Sequence, residues 1–381
     1  MEIGELREKI DAIDGELCAL VEKRLNVAAE IAEYKKENGI PVYDPRRERQ
    51  KLADIAEKAD PELRRYMTVL YSLIFEISRS RQQSIVTEDP PIVTEIADAI
   101  ENTPKLFPET ASVACQGVEG AYSGIACDKM FKTPSIVYFK NFDGVFSAVS
   151  KGLCKYGVLP LENTVAGSVK KVYDLMISND FRIVRSTDVR IEHCLLAPRG
   201  TVLSDIKEVF SHEQAISQCS EFLRSLGDGV TVTRCTNTAA AAEAVAASGR
   251  RDAAAIASFA CSEIYALDCL SRGIEDSDNN HTKFVTISKS LEIYPGADRT
   301  SLMMVLPHKP GSLYKALSRF YALGINLLKL ESRPIPGRDF EFSFYFDLET
   351  SVYSDEFVKL MRELYDCSEQ FKYLGSYSEV R

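Results

Sequence analysis

The hydrophobic period of this chain changes twice, and each change marks a different kind of core. Ile3, Leu6, Ile10, Ile13, Leu17, Leu20 and Val21 recur at spacings of three and four, which gives one apolar helix face. No Gly or Pro interrupts the pattern from Gly15 to Tyr34, so the spacing predicts one helix of about 35 residues. A helix that long is expected to find a partner, a second copy of itself. Asp44-Pro45 reads as the cap and first residue of a second helix, running to Lys58. A third is expected from Pro61 to Gln83. These helices make up a first block, residues 1–84.

Four prolines and several acids in TEDPPIVTEIADAIENTPKLFPETAS predict a linker over residues 85–110, with one short helix in it. The texture then becomes α/β. SVACQG leads into AYSGIACDKMF, SIVYF into FDGVFSAVSKG and YGVLPLEN into SVKKVYDLMIS; further pairs continue to Ser288. This second block spans residues 111–290. Residues 299–381 read strand, helix, strand, strand, helix, strand, the split βαβ order of ferredoxin-like domains. That third block is expected to be small and self-contained.

The chain's 381 residues exceed what one core organises, which agrees with two or three domains. A net charge of −10 without any long Lys/Arg block argues against nucleic acid as a partner, and any anionic ligand needs a local cluster of cations. Ten scattered cysteines, with no C-x-x-C and no His at zinc spacing, predict buried thiols in a reducing compartment and no metal site. The opening MEIGELREKIDAID is charged and helical, unlike a signal peptide, and no apolar run is long enough to span a membrane. A cytoplasmic protein is expected.

Two clusters carry the chemistry. In the first block, Arg24 and Lys35 are eleven residues apart, close to three turns, and so share a helix face. Arg7 lies seventeen residues before Arg24, about 25 Å along the axis, so it reaches a shared small ligand only from another subunit. Ser78 and Gln82 share a face of the third helix, and Arg47 and Glu48 open the second. In the second block, VLPLENTVAGSV raises a question: a core strand ends in Glu162, Asn163 and Thr164. Either this is a turn into a helix capped by Ser168, or it is a binding site at a strand's carboxyl end.

The first block resembles the all-helical chorismate mutase family, through Arg7, Arg24, Lys35, the Asp44-x-x-Arg47-Glu48 segment, and Ser78 with Gln82. The resemblance implies a pericyclic rearrangement of a dianion, which needs no base, nucleophile or cofactor. Arg7 and Arg24 are then expected to clamp carboxylates, with Asp44, Arg47 and Ser78 supporting substrate binding. Lys35 and Gln82 are expected to hydrogen-bond the ether oxygen, and Glu48 the ring hydroxyl.

The second block looks like the prephenate dehydratase family, through QGVEGAYS, PLENT, SHEQAISQC and HTKF. The resemblance makes Thr282 catalytic, with Glu162 and Asn163 orienting substrate. It makes Ser123, Thr164, Ser168, Ser211, His212, Gln218, Lys283 and Phe284 substrate-binding candidates, His212 as a shaping residue. Lys283 stands where relatives carry Arg, and Gln116-Gly117 where many have Gly-Pro. The implied fold is a two-lobed α/β domain like periplasmic binding proteins.

The third block resembles the ACT regulatory domain, through PGSLYKAL, GINL and LESRP. It implies phenylalanine bound where two such domains meet, at Gly311, Ser312, Leu313, Asn326 and Leu327, with Glu331, Ser332, Arg333 and Pro334 in the sensing interface. Together the three resemblances imply a cofactor-free homodimer or higher homo-oligomer of phenylalanine biosynthesis. Its substrates are expected to be chorismate and prephenate, and its effector L-phenylalanine. The rivals are dehydration of arogenate and a non-catalytic ligand-binding regulator.

Overall fold

A computed structural model describes residues 2–86, 89–335, 337 and 341–380, so residues 87–88 of the expected linker lie outside it. The chain divides into two compact units, Met1–Thr94 with Lys359–Asp366 and Glu95–Val358 with Cys367–Arg381. Among the described residues no helix is long and apolar enough to cross a membrane.

The first unit holds α1 (Ile3–Glu37), α2 (Pro45–Lys58) and α3 (Arg64–Val86). The Glu5 carboxylate closes the start of α1 by accepting the Glu2 N–H at 3.2 Å. Asp44 caps α2, accepting the N–H groups of Arg46 and Arg47 at 3.1 and 3.0 Å, with Pro45 in the first turn. Those amide hydrogen bonds, Arg47's foremost, hold the exposed Asp44 carboxyl below the usual carboxylate range. The N-terminal half of α1 keeps its apolar stripe in the open: Ile3 is 66% exposed, Ile13 62% and Leu20 64%. The helix α4 (Pro91–Asn102) fills much of the expected linker.

The second unit begins with β1 (Ser112–Gln116), α5 (Tyr122–Met130), β2 (Ser135–Phe139), α6 (Phe142–Ser150), β3 (Tyr156–Asn163), β4 (Gly167–Ser168), α7 (Lys170–Ser178) and β5 (Arg182–Arg190). A second lobe follows: β6 (Cys194–Pro198), β7 (Glu208–His212), α8 (Glu213–Gln218), α9 (Ser220–Ser225), β8 (Thr231–Cys235), α10 (Thr238–Ser248), β9 (Ala253–Ala257), α11 (Ala260–Ile264) and β10 (Leu267–Arg272). The chain then returns to the first lobe with β11 (His281–Ser288). The second lobe's sheet runs β10-β6-β9-β7-β8. Its alanine-rich α10 seats Ala239, Ala241, Ala242 and Val245 in the core that holds the small side chains of β9, so little volume separates helix and sheet. The polypeptide crosses between lobes at residues 191–193 and again at 273–280.

The remaining elements are β12 (Arg299–Val305), α12 (Ser312–Ala322), β13 (Asn326–Pro334), β14 (Phe342–Glu349), α13 (Asp355–Cys367) and β15 (Gln370–Val380). Their order is the expected βαββαβ, but they are not self-contained. β15 pairs in parallel with β5, so one sheet runs β13-β14-β12-β15-β5-β11-β3-β1-β2. Met303, Tyr345, Leu374 and Tyr377 belong to the same buried cluster as Val145, Leu159 and Ile183 of the first lobe. The cause is local. Gly375, at φ +139°, lets β15 approach β5 so closely that a Cβ there would sit 2.2 Å from the Ile183 carbonyl oxygen. Gly375→Ala is therefore expected to destabilise this unit by more than about 2 kcal/mol, because the obstacle is backbone and the conformation disfavours any side chain. Thermal unfolding of the full chain checks this, and an unchanged melting temperature would contradict it.

Candidate active sites

The helical unit encloses a cavity of about 760 Å³ between α1, the turn before α2, α2 itself and α3. Arg24, Lys35, Asp44, Arg47, Glu48, Ser78 and Gln82 all line it. Arg24 donates to the Ser78 hydroxyl, and its guanidinium lies 5.4 Å from the Phe75 ring centroid, which fixes the planar group against the wall. Lys35 Nζ donates to the Val42 carbonyl at 2.6 Å and to Gln82 Oε1 at 3.3 Å. With its oxygen so engaged, Gln82 has its NH₂ to offer a ligand. Arg79, which the sequence reading missed, ion-pairs with Glu48 and stacks 5.2 Å from the Tyr43 ring centroid. Arg7 is exposed and lies outside the lining, as its distance along α1 requires.

The second unit has a cleft of about 370 Å³ between its two lobes. Asn163, Thr282 and Phe284 of the first lobe face His212 and Gln218 of the second, with Ser123 at the start of α5. Asn163 Oδ1 accepts the N–H groups of Val165 and Ala166 at 3.1 and 2.8 Å. Its Nδ2 therefore donates, to Asn280 Oδ1 at 2.7 Å and Thr282 Oγ1 at 2.9 Å. Thr282 Oγ1 accepts that bond and keeps its own O–H as a donor that can turn to a ligand in the cleft. His212 caps α8 through Nδ1, 3.3 Å from the Gln214 amide. Burial lowers the pKa of both cleft histidines, His193 and His212. No Lys, Arg, Asp or Glu appears among the described residues lining the cleft.

Several expected residues are elsewhere, and strand alternation is the reason. In the β3–β11 ladder Thr282 opposes Asn163, and Lys283 opposes Glu162. Successive side chains point to opposite faces, so Thr282 and Asn163 face the cleft while Lys283 and Glu162 turn away. Glu162 is 2.9 Å from Lys329 Nζ of β13, which also reaches Ser168 Oγ at 2.9 Å and Tyr173 Oη at 2.8 Å. Ser168 donates to Glu331 at 2.8 Å, so it is neither a helix cap nor a cleft residue. Lys283 meets Asp347 of β14 at 3.4 Å. Arg333 pairs with Asp174 at 2.7 Å. Ser211 is fully buried and donates to the Ile256 carbonyl, and Thr164 pins the return connection by donating to Asn279 O at 2.7 Å. His193 and Asn280 were missed. His193 precedes the buried strand β6, and Asn280 precedes the HTKF stretch; a polar residue abutting a buried strand was the available signal.

A type II chorismate mutase model matches residues 6–83, and a prephenate dehydratase model matches residues 113–292. The bifunctional chorismate mutase/prephenate dehydratase of Enterobacter agglomerans is 31% identical, over 98% of this chain and 95% of its own. The chain belongs to the bifunctional chorismate mutase/prephenate dehydratase family. It is an enzyme with both activities, rearranging chorismate to prephenate and converting prephenate to phenylpyruvate. The chloroplastic arogenate dehydratase/prephenate dehydratase 2 of Arabidopsis thaliana is 34% identical, over 82% of this chain and 87% of its own. A solved prephenate dehydratase from Arthrobacter aurescens, in complex with L-Phe, superposes with a TM-score of 0.64 at 26% identity, over 70% of this chain and 89% of that one.

The two sites are expected to fail independently. Arg24→Ala should cut mutase turnover by roughly 10²–10³-fold and leave dehydration of supplied prephenate intact. Thr282→Val should cut dehydration by a similar factor with the mutase intact, so that prephenate accumulates from chorismate, and Thr282→Ser should restore it. Product analysis of each variant decides; equal loss of both activities in a folded variant would contradict the assignment.

Proposed function

We propose that the cavity side chains hold chorismate in its reactive fold, that the cleft carries the dehydration, and that the C-terminal βαββαβ segment is an ACT domain through which phenylalanine controls the enzyme. In the mutase site Arg24 clamps one carboxylate, and Lys35 with the Gln82 NH₂ meets the ether oxygen as it gains charge. Glu48, held at one oxygen by Arg79, offers the other to the ring hydroxyl. Arg7 completes the clamp from a second copy. The exposed stripe of α1, ending at Leu20 near Arg24, supports that pairing.

In the cleft, aromatisation drives loss of CO₂ and of the ring hydroxyl, and one proton is taken up to make water. The Thr282 O–H, aimed into the cleft by Asn163, donates to the departing oxygen; this geometry is the observation that carries the reading. Gln218, His212 and Ser123 bind substrate. The lack of acidic side chains in the described lining supports prephenate over arogenate, whose ammonium group wants a negative partner.

The effector reading rests on the start of α12 and on strand β13. Gly311, at φ +86°, opens α12; the Ser312 N–H donates to the Lys309 carbonyl at 3.2 Å, which leaves the next N–H, of Leu313, for a carboxylate. β13 is a sheet edge with Leu328 and Leu330 41% and 40% exposed, which suits pairing with a second copy. Asn326 and Ser332 share that outward face, and Pro334 ends the strand there; Leu327, Glu331 and Arg333 face inward. The inward face carries the coupling, since Lys329 and Glu331 hold Glu162 and Ser168 on the back of the catalytic strands. Purified chain given chorismate alone should form phenylpyruvate, and phenylalanine should suppress it. Lys329→Met should keep basal turnover while the phenylalanine needed for half-inhibition rises by roughly tenfold. Unchanged sensitivity would remove Lys329 from the coupling.

A further inference from the structure

His193 and Asn280 lie on the two connections between the lobes, outside the four stretches QGVEGAYS, PLENT, SHEQAISQC and HTKF. Both are buried, at 2% and 1% exposure, and both bond to the same atom. Gln218 Oε1 is 3.1 Å from His193 Nε2 and 3.1 Å from Asn280 Nδ2. Donor and acceptor roles can be assigned along the whole chain of contacts. The amides of Val165 and Ala166 force Asn163 to present its oxygen to them and its NH₂ onward. Asn280 then accepts from Asn163 through Oδ1 and donates through Nδ2 to Gln218. The amide oxygen of Gln218 can only accept, so the His193 nitrogen facing it is the donor. Burial lowers the His193 pKa, with the Gln218 bond opposing, so the ring is neutral and its single proton sits on Nε2. Two atoms, His193 Nδ1 and Gln218 Nε2, are left buried without a partner.

We infer that His193 and Asn280 are positioning residues for the dehydratase. They lock the Gln218 amide by its oxygen, which leaves its buried, unpartnered NH₂ as the end of the amide that a bound substrate can engage, and they tie this second-lobe residue to Thr282 in the first lobe. One bond to each lobe's reactive residue passes through the interlobe connections, so the gap between the Gln218 amide and the Thr282 hydroxyl is set without either touching the other. An unlocked Gln218 would rotate and offer its oxygen, placing an acceptor against the acceptors of an anionic substrate. The inference rests on Thr282 and Gln218 meeting substrate.

The test uses the full chain, with its thermal melting as the control for folding and its mutase rate as the control for enzyme concentration. His193→Leu removes the donor, whereas His193→Gln returns an N–H to the place of Nε2. Asn280→Asp keeps the shape but turns an oxygen toward Gln218. His193→Leu and Asn280→Asp should each lose roughly 10- to 100-fold in kcat/KM for prephenate, while His193→Gln recovers to within about threefold, all with unchanged mutase turnover. A merely structural histidine would not be rescued by an amide that only replaces its donor. Wild-type kcat/KM in His193→Leu or in Asn280→Asp, or failure of His193→Gln alongside a folded His193→Leu, would overturn the inference. If His193→Leu does not fold, Asn280→Asp decides alone. Thr282→Val run in parallel separates the two levels. Its loss of activity beside unaffected His193 and Asn280 variants would sink this inference only, and its full activity would sink the site reading beneath it.

Discussion

The antiparallel pairing of β3 with β11 governs the second unit, because consecutive residues on those two strands serve opposite sides of one sheet. Asn163 and Thr282 face the cleft, and Glu162 and Lys283, one residue away on each strand, face the C-terminal segment. The pairing skips Leu161 of β3 between Glu162 and Pro160, and this irregularity brings Pro160 to the cleft side opposite Phe284, which alternation from Thr282 already places there. A small rotation of either strand would therefore move both faces at once. The Lys329 network grips Glu162 and Ser168, and Asp347 grips Lys283, so the proposed effector module holds the reverse side of the strands that carry Asn163 and Thr282. Lys372 of β15 adds a third attachment, donating to the Met176 carbonyl at 2.8 Å and to other carbonyls at the end of α7.

How much of this could be read from the sequence depended on the range of the interaction. The long α1, the Asp44 cap and the strand–helix alternation follow from local spacing, and each was legible to within a few residues. Arg24, Lys35 and Gln82 were legible because helical periodicity places side chains on a face. Thr282 and Asn163 were legible through motif resemblance. Glu162, Ser168 and Lys283 were misplaced because motifs cover stretches of chain while a strand sends alternate residues to opposite faces. Period two was visible in PLENT and HTKF, but the face that belonged to the cleft was not. His193, Asn280 and Arg79 take their roles from partners 25 or more residues away, which no local pattern encodes. The self-contained reading of the third block failed at one glycine, since nothing in GSYS announces a backbone approach to Ile183.

On the proposed assignment, the two sites meet anionic substrates in opposite ways, and the chemistry accounts for the difference. The cavity of the helical unit presents Arg24, Lys35 and Arg47, against a chain whose net charge is −10. Its rearrangement keeps both carboxylates, so a cation bound to either stabilises reactant and transition state alike, and it anchors the geometry that the reaction needs. Dehydration instead destroys a carboxylate, which leaves as CO₂. A guanidinium or ammonium paired with that group would stabilise the reactant more than the transition state and so raise the barrier. Neutral donors avoid this penalty. The described lining of the cleft has only hydroxyls, amides, imidazoles, backbone and apolar groups, and turning Lys283 to the reverse face keeps its charge from the carboxylate that must be lost. On this argument the Lys at the position where relatives carry Arg has little bearing on substrate affinity. Its charge is committed to Asp347 of β14, on the side of the sheet away from the cleft.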